Sequence, residues 1–304
     1  MNPTWEALEA ALGALEGGET LVFASGMAAI DAVLRAVGGP VLAPGDGYYN
    51  LRALVPDARF VPSSTAAYLD AVEGARLVWV ETPSNPRLDV VDIAAVAEAA
   101  HAAGALLAVD NTVATPLGQQ PLALGADLSV TAGTKGLAGH SDVLYGAVSA
   151  RTQDGLAAVR TVRDQAGAIL GPFEAWVAHR SLATLELRLA RASQTAAALA
   201  EALPVPTFHP SADPLAADQM RHFGPLVGFD LGSEAAAAAF FAASALVIEA
   251  TSFGGVHTTA ERRARWGTDD VGPGFVRLSA GIEDTDDVVA DVLQAVLKAD
   301  AESS

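Results

Sequence analysis

The chain has 304 residues, 51% of them hydrophobic, and a formal net charge of -18. The length and composition predict a globular protein of about two domains with a sizeable core. The acidity argues against nucleic acid or an anionic membrane as a partner. Because the chain has no cysteine, disulfides, thiolate zinc sites and a cysteine nucleophile are excluded. The amino terminus lacks the basic start and apolar core of a secretory signal, which predicts a cytoplasmic protein.

Short apolar runs alternate with helical patterns through the first half of the chain. This alternation is typical of an α/β fold with a mostly parallel sheet. The strands are apolar almost throughout, which predicts burial on both faces. We predict strands at residues 21–24, 77–80, 105–109, 128–130 and 143–148, and helices at residues 27–37 and 92–103.

The second half begins with a long helical pattern at residues 174–203, followed by a proline-rich loop. We place the domain boundary in this loop, which gives a large domain of residues 1–204 and a smaller α+β domain of residues 205–304. The apolar stretch 235–248 is shorter than the roughly 20 residues that span a bilayer, so we interpret it as a buried helix running into a strand. Further strands are predicted at residues 226–231, 246–250 and 275–279, before a final helix.

Lysine is rare in this chain. Of 18 basic residues, sixteen are arginines and two are lysines, Lys135 and Lys298. A guanidinium stays protonated, whereas a partly desolvated lysine can become neutral, attack a carbonyl and form a Schiff base. Lys135 follows a predicted strand, which makes it the candidate for this chemistry. Codon bias against lysine throughout the chain is the alternative explanation.

Three further polar clusters follow predicted strands, at residues 25–27, 81–86 and 110–112. In open α/β sheets, ligands bind beyond the carboxyl ends of the strands. The first cluster opens a helix and offers backbone N–H groups to a phosphate, and Asp110 needs a cationic partner at the end of a buried strand. The alternatives are a helix cap at residues 25–27, an ordinary turn at residues 81–86, and a helix cap or structural salt bridge at residues 110–112. Together with Lys135, the clusters supply the groups that hold pyridoxal phosphate (PLP) and tune its ring.

Other cofactor and catalytic motifs are absent from the sequence. It has no dinucleotide-binding glycine motif after a strand, no P-loop and no Gly-x-Ser-x-Gly elbow. The six histidines show no paired ligand spacing, so we expect no metal site.

A series of longer motifs resembles one family of enzymes. In chain order the motifs are Asn2-Pro-Thr, Leu15-Glu-Gly-Gly-Glu, Ser25-Gly-Met-Ala-Ala-Ile, Glu81-Thr-Pro-Ser-Asn-Pro, Asp110-Asn-Thr, Thr134-Lys with Gly139-His-Ser-Asp, and Phe275-Val-Arg-Leu-Ser-Ala-Gly-Ile-Glu-Asp. They are similar to those of the Cys/Met-metabolism family of PLP enzymes, which includes cystathionine γ-lyases, γ-synthases and β-lyases. The resemblance implies a fold-type I large domain, a smaller carboxy-terminal domain and a homo-oligomer, a dimer or tetramer, with active sites shared between subunits.

The resemblance also implies roles for individual residues. Lys135 would bind the cofactor covalently and later move protons at the substrate, while Asp110 would pair with the ring nitrogen. Tyr48 would stack on the ring and assist in acid-base steps, with Tyr49 as the alternative, and Asn85 would hydrogen-bond to the ring hydroxyl. The phosphate would be bound by Gly26, Met27 and Thr134. The substrate carboxylate would be bound by Arg277 and Ser252.

Three departures from the family pattern affect these implied roles. The family's Tyr-x-Arg segment precedes Asn-Pro-Thr, which here begins at residue 2. Ala132 stands where the family has a phosphate-binding serine, and His257 stands where many members carry an acidic residue. Each lost phosphate contact is expected to weaken cofactor binding roughly ten- to hundredfold.

The sequence therefore predicts a PLP-dependent carbon-sulfur lyase of sulfur amino-acid metabolism (transsulfuration). Residues 252–266 resemble bacterial members known as γ-lyases, so the first hypothesis is γ-elimination of cystathionine to cysteine, 2-oxobutanoate and ammonia. One alternative is a cystathionine γ-synthase, which joins an activated homoserine ester to cysteine. The other is a non-catalytic protein that retains the fold.

Overall fold

The computed structural model describes residues 2–303, with side chains through residue 301. Its amino-terminal part contains a seven-stranded sheet. The strands are β1 (Glu19–Phe23), β2 (Val41–Pro44), β3 (Arg59–Val61), β4 (Leu77–Glu81), β5 (Leu106–Asp110), β6 (Leu128–Thr131) and β7 (Gly146–Ala150). Their order is β1-β7-β6-β5-β4-β2-β3, and β7 alone runs antiparallel to its neighbours. The prediction of a mostly parallel central sheet is confirmed.

Helices cover both faces of this sheet. They are α1 (Pro3–Glu16), α2 (Gly26–Val37), α3 (Tyr49–Leu54), α4 (Thr65–Ala71), α5 (Ile93–Ala102), α6 (Thr115–Gly118) and α7 (Gln153–Ala166). Successive residues of a strand point to opposite faces. Accordingly, Trp79 of β4 packs in a cluster with α2 and α7, whereas Val78 and Val80 pack in one with α4 and α5. The predicted burial of the strands on both faces is confirmed.

The carboxy-terminal part is built on a second, five-stranded sheet in the order β10-β11-β12-β9-β8. Its elements, with the two helices that precede it, are α8 (Pro172–Leu182), α9 (Leu185–Ala202), β8 (Thr207–Phe208), α10 (Pro214–Gln219), β9 (Leu226–Asp230), α11 (Glu234–Ala243), β10 (Ile248–Glu249), β11 (Thr259–Arg262), β12 (Phe275–Ser279) and α12 (Thr285–Ser303). Ala196 and Leu199 of α9 pack in the same core cluster as Phe229 of this sheet. The helix α9, which precedes residue 204, therefore packs against the sheet that follows it, and the domain boundary at residue 204 stays a proposal.

The prediction of one helix over residues 174–203 was wrong. The chain leaves the helical conformation at Thr184, which separates α8 from α9. The Thr184 hydroxyl donates back to the Ser181 carbonyl at 3.3 Å, and the Arg188 guanidinium donates to the same carbonyl at 2.9 Å. These side chains replace the backbone hydrogen bonds that a continuous helix would make.

Two strand predictions were also wrong in extent. The strand predicted at residues 143–148 begins only at Gly146, because the Tyr145 backbone bonds to Thr134 instead of to a neighbouring strand. The strand predicted at residues 246–250 shortens to β10, whose two residues are exposed. The alanine-rich helix α11 is buried along one face only. Among residues 2–303, no helix is both long and apolar enough to cross a membrane.

Candidate active site

A cavity of about 540 Å³ lies where the carboxyl ends of β4, β5 and β6 and the first turn of α2 meet the second sheet. Its size is typical of a small-molecule site. The cavity brings together eight of the nine predicted site residues, and the ninth, Ser252, bonds to one of the eight at its edge. The eight lining residues are Gly26, Met27, Tyr48, Asn85, Asp110, Thr134, Lys135 and Arg277.

Lys135 lies on the loop after β6, with its amine directed into this cavity. Nζ donates a hydrogen bond to Ser252 Oγ at 3.1 Å and lies 4.8 Å from the centre of the Phe253 ring. Burial, followed by the nearby charge of Arg277, lowers the pKa of Lys135 to about 8. About a tenth of this amine is therefore neutral, and nucleophilic, at pH 7.

This shifted pKa predicts how fast a carbonyl compound reacts with Lys135. At pH 7, a lysine of pKa 8 is neutral about 300-fold more often than one of pKa 10.5. We expect the rate of PLP incorporation into cofactor-free protein to rise with pH and level off above about pH 8. Visible absorbance followed from pH 6 to pH 10 measures this rate. Peptide mapping then compares the amount of PLP attached to Lys135 with that attached to the exposed Lys298. A rate still rising tenfold per unit at pH 9.5 would contradict the lowered pKa.

Two buried carboxyl groups lie side by side at the ends of β4 and β5. Glu81 and Asp110 are paired residues in the strand register, and both are more than nine-tenths buried. Burial raises the pKa of each, and the adjacent Asp110 charge adds to the shift of Glu81, whose pKa reaches about 8. Neither forms an ion pair with another residue of the range 2–303. The pair can therefore accept one cationic ligand group or hold one shared proton.

Glu81 was not predicted as a site residue. Its Oε2 accepts the backbone N–H of Tyr48 at 2.7 Å, and its Oε1 accepts that of Asn85 at 2.8 Å. One carboxylate thus fixes the two loops that carry the tyrosine and the asparagine of the site. The motif that begins at Glu81 was the only signal in the sequence, and it gave no indication of these backbone contacts.

The raised pKa of Glu81 predicts a pH-dependent stability. Between pH 4.5 and 8 the folded state retains a proton that the unfolded state loses, so the free energy of unfolding falls as pH rises, by up to about 1.4 kcal/mol per unit. Urea unfolding of cofactor-free protein at pH 5 and pH 8 should show this fall, and Glu81→Gln should reduce it. The exposed Glu249→Gln is the matched control; equal slopes in all three proteins would contradict the assignment.

The first turn of α2 provides backbone donors at another side of the cavity. The amides of Gly26 and Met27 have no acceptor within the helix, as in any first turn. Gly26 approaches Ala132 so closely that a Cβ on it would lie 2.7 Å from the Ala132 Cβ, which requires glycine there. The Thr134 hydroxyl donates to the Tyr145 carbonyl at 3.1 Å and accepts the Tyr145 N–H at 3.0 Å. Its predicted phosphate contact therefore requires its proton to turn away from Tyr145.

Arg277 on β12 is almost fully buried at the opposite side of the cavity. Nη1 donates to Asn85 Oδ1 at 2.6 Å, and Nη2 donates to the Thr251 carbonyl at 2.7 Å and to Glu261 Oε2 at 3.2 Å. Burial lowers its pKa to about 10, so it remains charged at neutral pH. Its guanidinium lies 5.2 Å from the centre of the Phe253 ring, the ring that Lys135 also contacts.

Tyr48 is half-buried beside the cavity. Its hydroxyl oxygen accepts a hydrogen bond from Asn50 Nδ2 at 2.9 Å, which leaves its own proton available for donation. Burial raises the pKa of Tyr48, so the phenol is protonated at neutral pH. The alternative, Tyr49, also lines the cavity but is 42% exposed and packs edge-on against Tyr48 at 5.2 Å.

Comparison with known proteins identifies the family. The model of the Cys/Met metabolism PLP-dependent enzyme family matches residues 1–297. The chain belongs to this family. It is 53% identical to a Streptomyces coelicolor protein to which cystathionine gamma-lyase activity is attributed, over 97% of this chain and 82% of that one. It is 40% identical to cystathionine gamma-synthase of Mycobacterium tuberculosis, over 97% of this chain and 84% of that one.

A solved structure gives the same result for the fold. The methionine gamma lyase of Micromonospora echinospora matches with a TM-score of 0.91 and 39% identity, over 97% of this chain and 86% of that one. The predicted family, fold class and cofactor are therefore confirmed, and the chain is a PLP-dependent enzyme of the Cys/Met metabolism family. Its cavity fits the cofactor: unpaired first-turn amides suit a phosphate, and a buried carboxyl pair suits a protonated ring nitrogen.

Proposed function

We propose that the enzyme cleaves the Cγ–S bond of cystathionine, releasing cysteine, 2-oxobutanoate and ammonia. The observation that carries this proposal is a cavity in which the Lys135 amine and the Arg277 guanidinium contact the same Phe253 ring. That arrangement can hold an amino acid by its carboxylate while a neutral amine acts on its carbon atoms. The similarity to the Streptomyces coelicolor protein favours γ-elimination among the reactions of the family.

The roles in cofactor binding are part of this proposal. The amides of Gly26 and Met27 hold the phosphate, Asp110 keeps a proton on the ring nitrogen, and Asn85 bonds to the ring hydroxyl. When bound, PLP supplies an electron sink that stabilises negative charge on the substrate carbons. Glu81 acts indirectly, because it fixes the backbone at Asn85 and at the stacking tyrosine.

Two side chains move protons in the proposed reaction. The neutral Lys135 amine accepts a proton from the substrate Cα and returns it later in the sequence, which contributes roughly 10²- to 10⁴-fold. Tyr48 retains its proton at neutral pH and donates it toward the leaving sulfur. Arg277 and Ser252 hold the substrate carboxylate, which places Cα beside the lysine.

One product determination tests the proposal. Holoenzyme incubated with L-cystathionine should release 2-oxobutanoate, which mass spectrometry distinguishes from pyruvate by its additional methylene group. Release of pyruvate alone would mean cleavage of the Cβ–S bond and would overturn γ-elimination. A Lys135→Ala preparation run in parallel excludes a contaminating lyase.

A second candidate is cystathionine γ-synthase activity, favoured by the similarity to the Mycobacterium tuberculosis enzyme. Incubation with an activated homoserine ester, with and without cysteine, separates the two activities. Formation of cystathionine without breakdown of added cystathionine would support the synthase.

We further propose that the enzyme is a cytoplasmic homo-oligomer, either a dimer or a tetramer. Phe173 and Trp176 support the oligomer, because they stack at the start of α8 with exposed fractions of 70% and 54%. Sedimentation of Phe173→Ser should show dissociation relative to wild type if this surface joins subunits.

A further inference from the structure

Glu261 on β11 lies at the centre of a charged cluster that the sequence did not reveal. Its carboxylate is fully buried. Oε2 accepts hydrogen bonds from Arg263 Nη1 at 2.7 Å and Arg277 Nη2 at 3.2 Å, and Oε1 accepts them from Trp266 Nε1 at 2.5 Å and Arg265 Nη2 at 3.3 Å. Two guanidinium groups thus share one carboxylate oxygen at the wall of the cavity.

Glu261 contributes little to the position of the Arg277 guanidinium, and its larger effect is on the charge around that guanidinium. The bonds from Arg277 to Asn85 and to the Thr251 carbonyl measure 2.6 and 2.7 Å, whereas the bond to Glu261 measures 3.2 Å. The two shorter bonds hold the guanidinium when the third is removed. The main contribution of Glu261 is therefore a negative charge beside Arg277 in a site shielded from water.

We propose that Glu261 is an internal counter-ion that competes with the substrate carboxylate for Arg277 and so limits how tightly the amino acid binds. This inference rests on the proposed role of Arg277 in holding that carboxylate. A substrate carboxylate on Arg277 lies near a second carboxylate on the same guanidinium, and like charges at that range repel. Tighter binding of the ground state would not speed the chemical step.

Arg263 sets the strength of this competition. It shares Glu261 Oε2 with Arg277 and also pairs with Asp269 at 2.6 Å. While Arg263 is present, the charge of Glu261 is divided among three cations, Arg263, Arg265 and Arg277. Removal of Arg263 frees the Oε2 that it shares with Arg277 and increases the competition, so changes at Glu261 and Arg263 have opposite effects on carboxylate binding.

The experiment compares two ligands that differ by one carboxylate. Holoenzyme is titrated with L-alanine and with ethylamine, and binding is followed by the visible absorbance of the cofactor. Glu261→Gln should lower the Kd for L-alanine about tenfold and leave that for ethylamine within about twofold, as expected for removal of one like charge at short range. Arg263→Gln should raise the Kd for L-alanine severalfold. Glu249→Gln is the matched control, because Glu249 pairs with Arg265 but is half-exposed.

The direction of the change decides between the roles of Glu261. Weaker binding of L-alanine alone by Glu261→Gln would mean that Glu261 positions Arg277, and equal weakening of both ligands would mean a structural role; either overturns the proposal. If Glu261→Gln does not fold, Arg263→Gln decides, and an unchanged or lower Kd for L-alanine overturns it. Neither ligand has a sulfur leaving group, so failure of carbon-sulfur cleavage does not affect the result.

Discussion

Lys135→Ala should abolish carbon-sulfur cleavage, with a fall in kcat of at least about 10⁴-fold. The variant would lose both the amine that we propose binds the cofactor covalently and the proposed base at the substrate Cα. Its fold should persist, because the Lys135 side chain contributes one hydrogen bond, to Ser252, and a contact with Phe253, and alanine keeps the backbone hydrogen bonds. Release of keto acid from cystathionine measures the activity, and visible absorbance after dialysis against PLP measures covalent binding.

Lys298→Ala is the matched control for this variant. Lys298 lies exposed on α12, and it is the only other lysine of the chain. We expect it to retain wild-type activity and absorbance. Equal PLP absorbance in Lys135→Ala and wild type would contradict the assignment, and wild-type protein that does not break down cystathionine would contradict the proposed γ-elimination.

The site residues contributed by the large sheet could be predicted because topology alone brings them together. Parallel strands end at one edge of a sheet, so polar residues after β4, β5 and β6 converge there without knowledge of side-chain contacts. The strand β12 was also predicted with its observed bounds, Phe275–Ser279, because Phe275, Val276 and Leu278 form a short apolar run that starts directly after Gly274.

The part of the site that was missed depends on strand register in the second sheet. Glu261 lies directly opposite Arg277 because β11 pairs with β12, and β11 was not predicted. Two of its four residues are charged: Glu261 is buried in an ion pair with Arg263, and Arg262 is half-buried in an ion pair with Glu234. A short strand stabilised by ion pairs leaves no hydrophobic period in the sequence.

Two short strands at one end of the large sheet, the edge strand β3 and its neighbour β2, were missed for a related reason. The strand β3 has three residues, of which Arg59 and Phe60 are exposed, and it pairs only with β2 at the edge of the large sheet. The strand β2 ends in Pro44, and proline is more typical of turns than of the interior of a sheet. Tertiary pairing outweighs these local preferences.

Arg277→Lys should lower kcat/KM for cystathionine by about 10²- to 10³-fold, mostly through KM. A lysine retains the charge but loses the planar fork, and each charge-assisted hydrogen bond to a carboxylate contributes about 1.5–3 kcal/mol. The lysine also lacks the two separate nitrogens with which Arg277 donates to Asn85 and to the Thr251 carbonyl, at 2.6 and 2.7 Å. Steady-state kinetics with cystathionine, together with the Kd for L-alanine, measures both effects.

Arg265→Lys is the matched control, because Arg265 bonds to the same Glu261 carboxylate but does not line the cavity. It should change kcat/KM by less than about threefold, as is usual for a partly exposed ion pair. A large fall in kcat for Arg277→Lys with unchanged KM would instead place Arg277 in the chemical step. Equal losses in both variants would assign the effect to the charged cluster as a whole, because Arg277 lines the cavity and Arg265 does not.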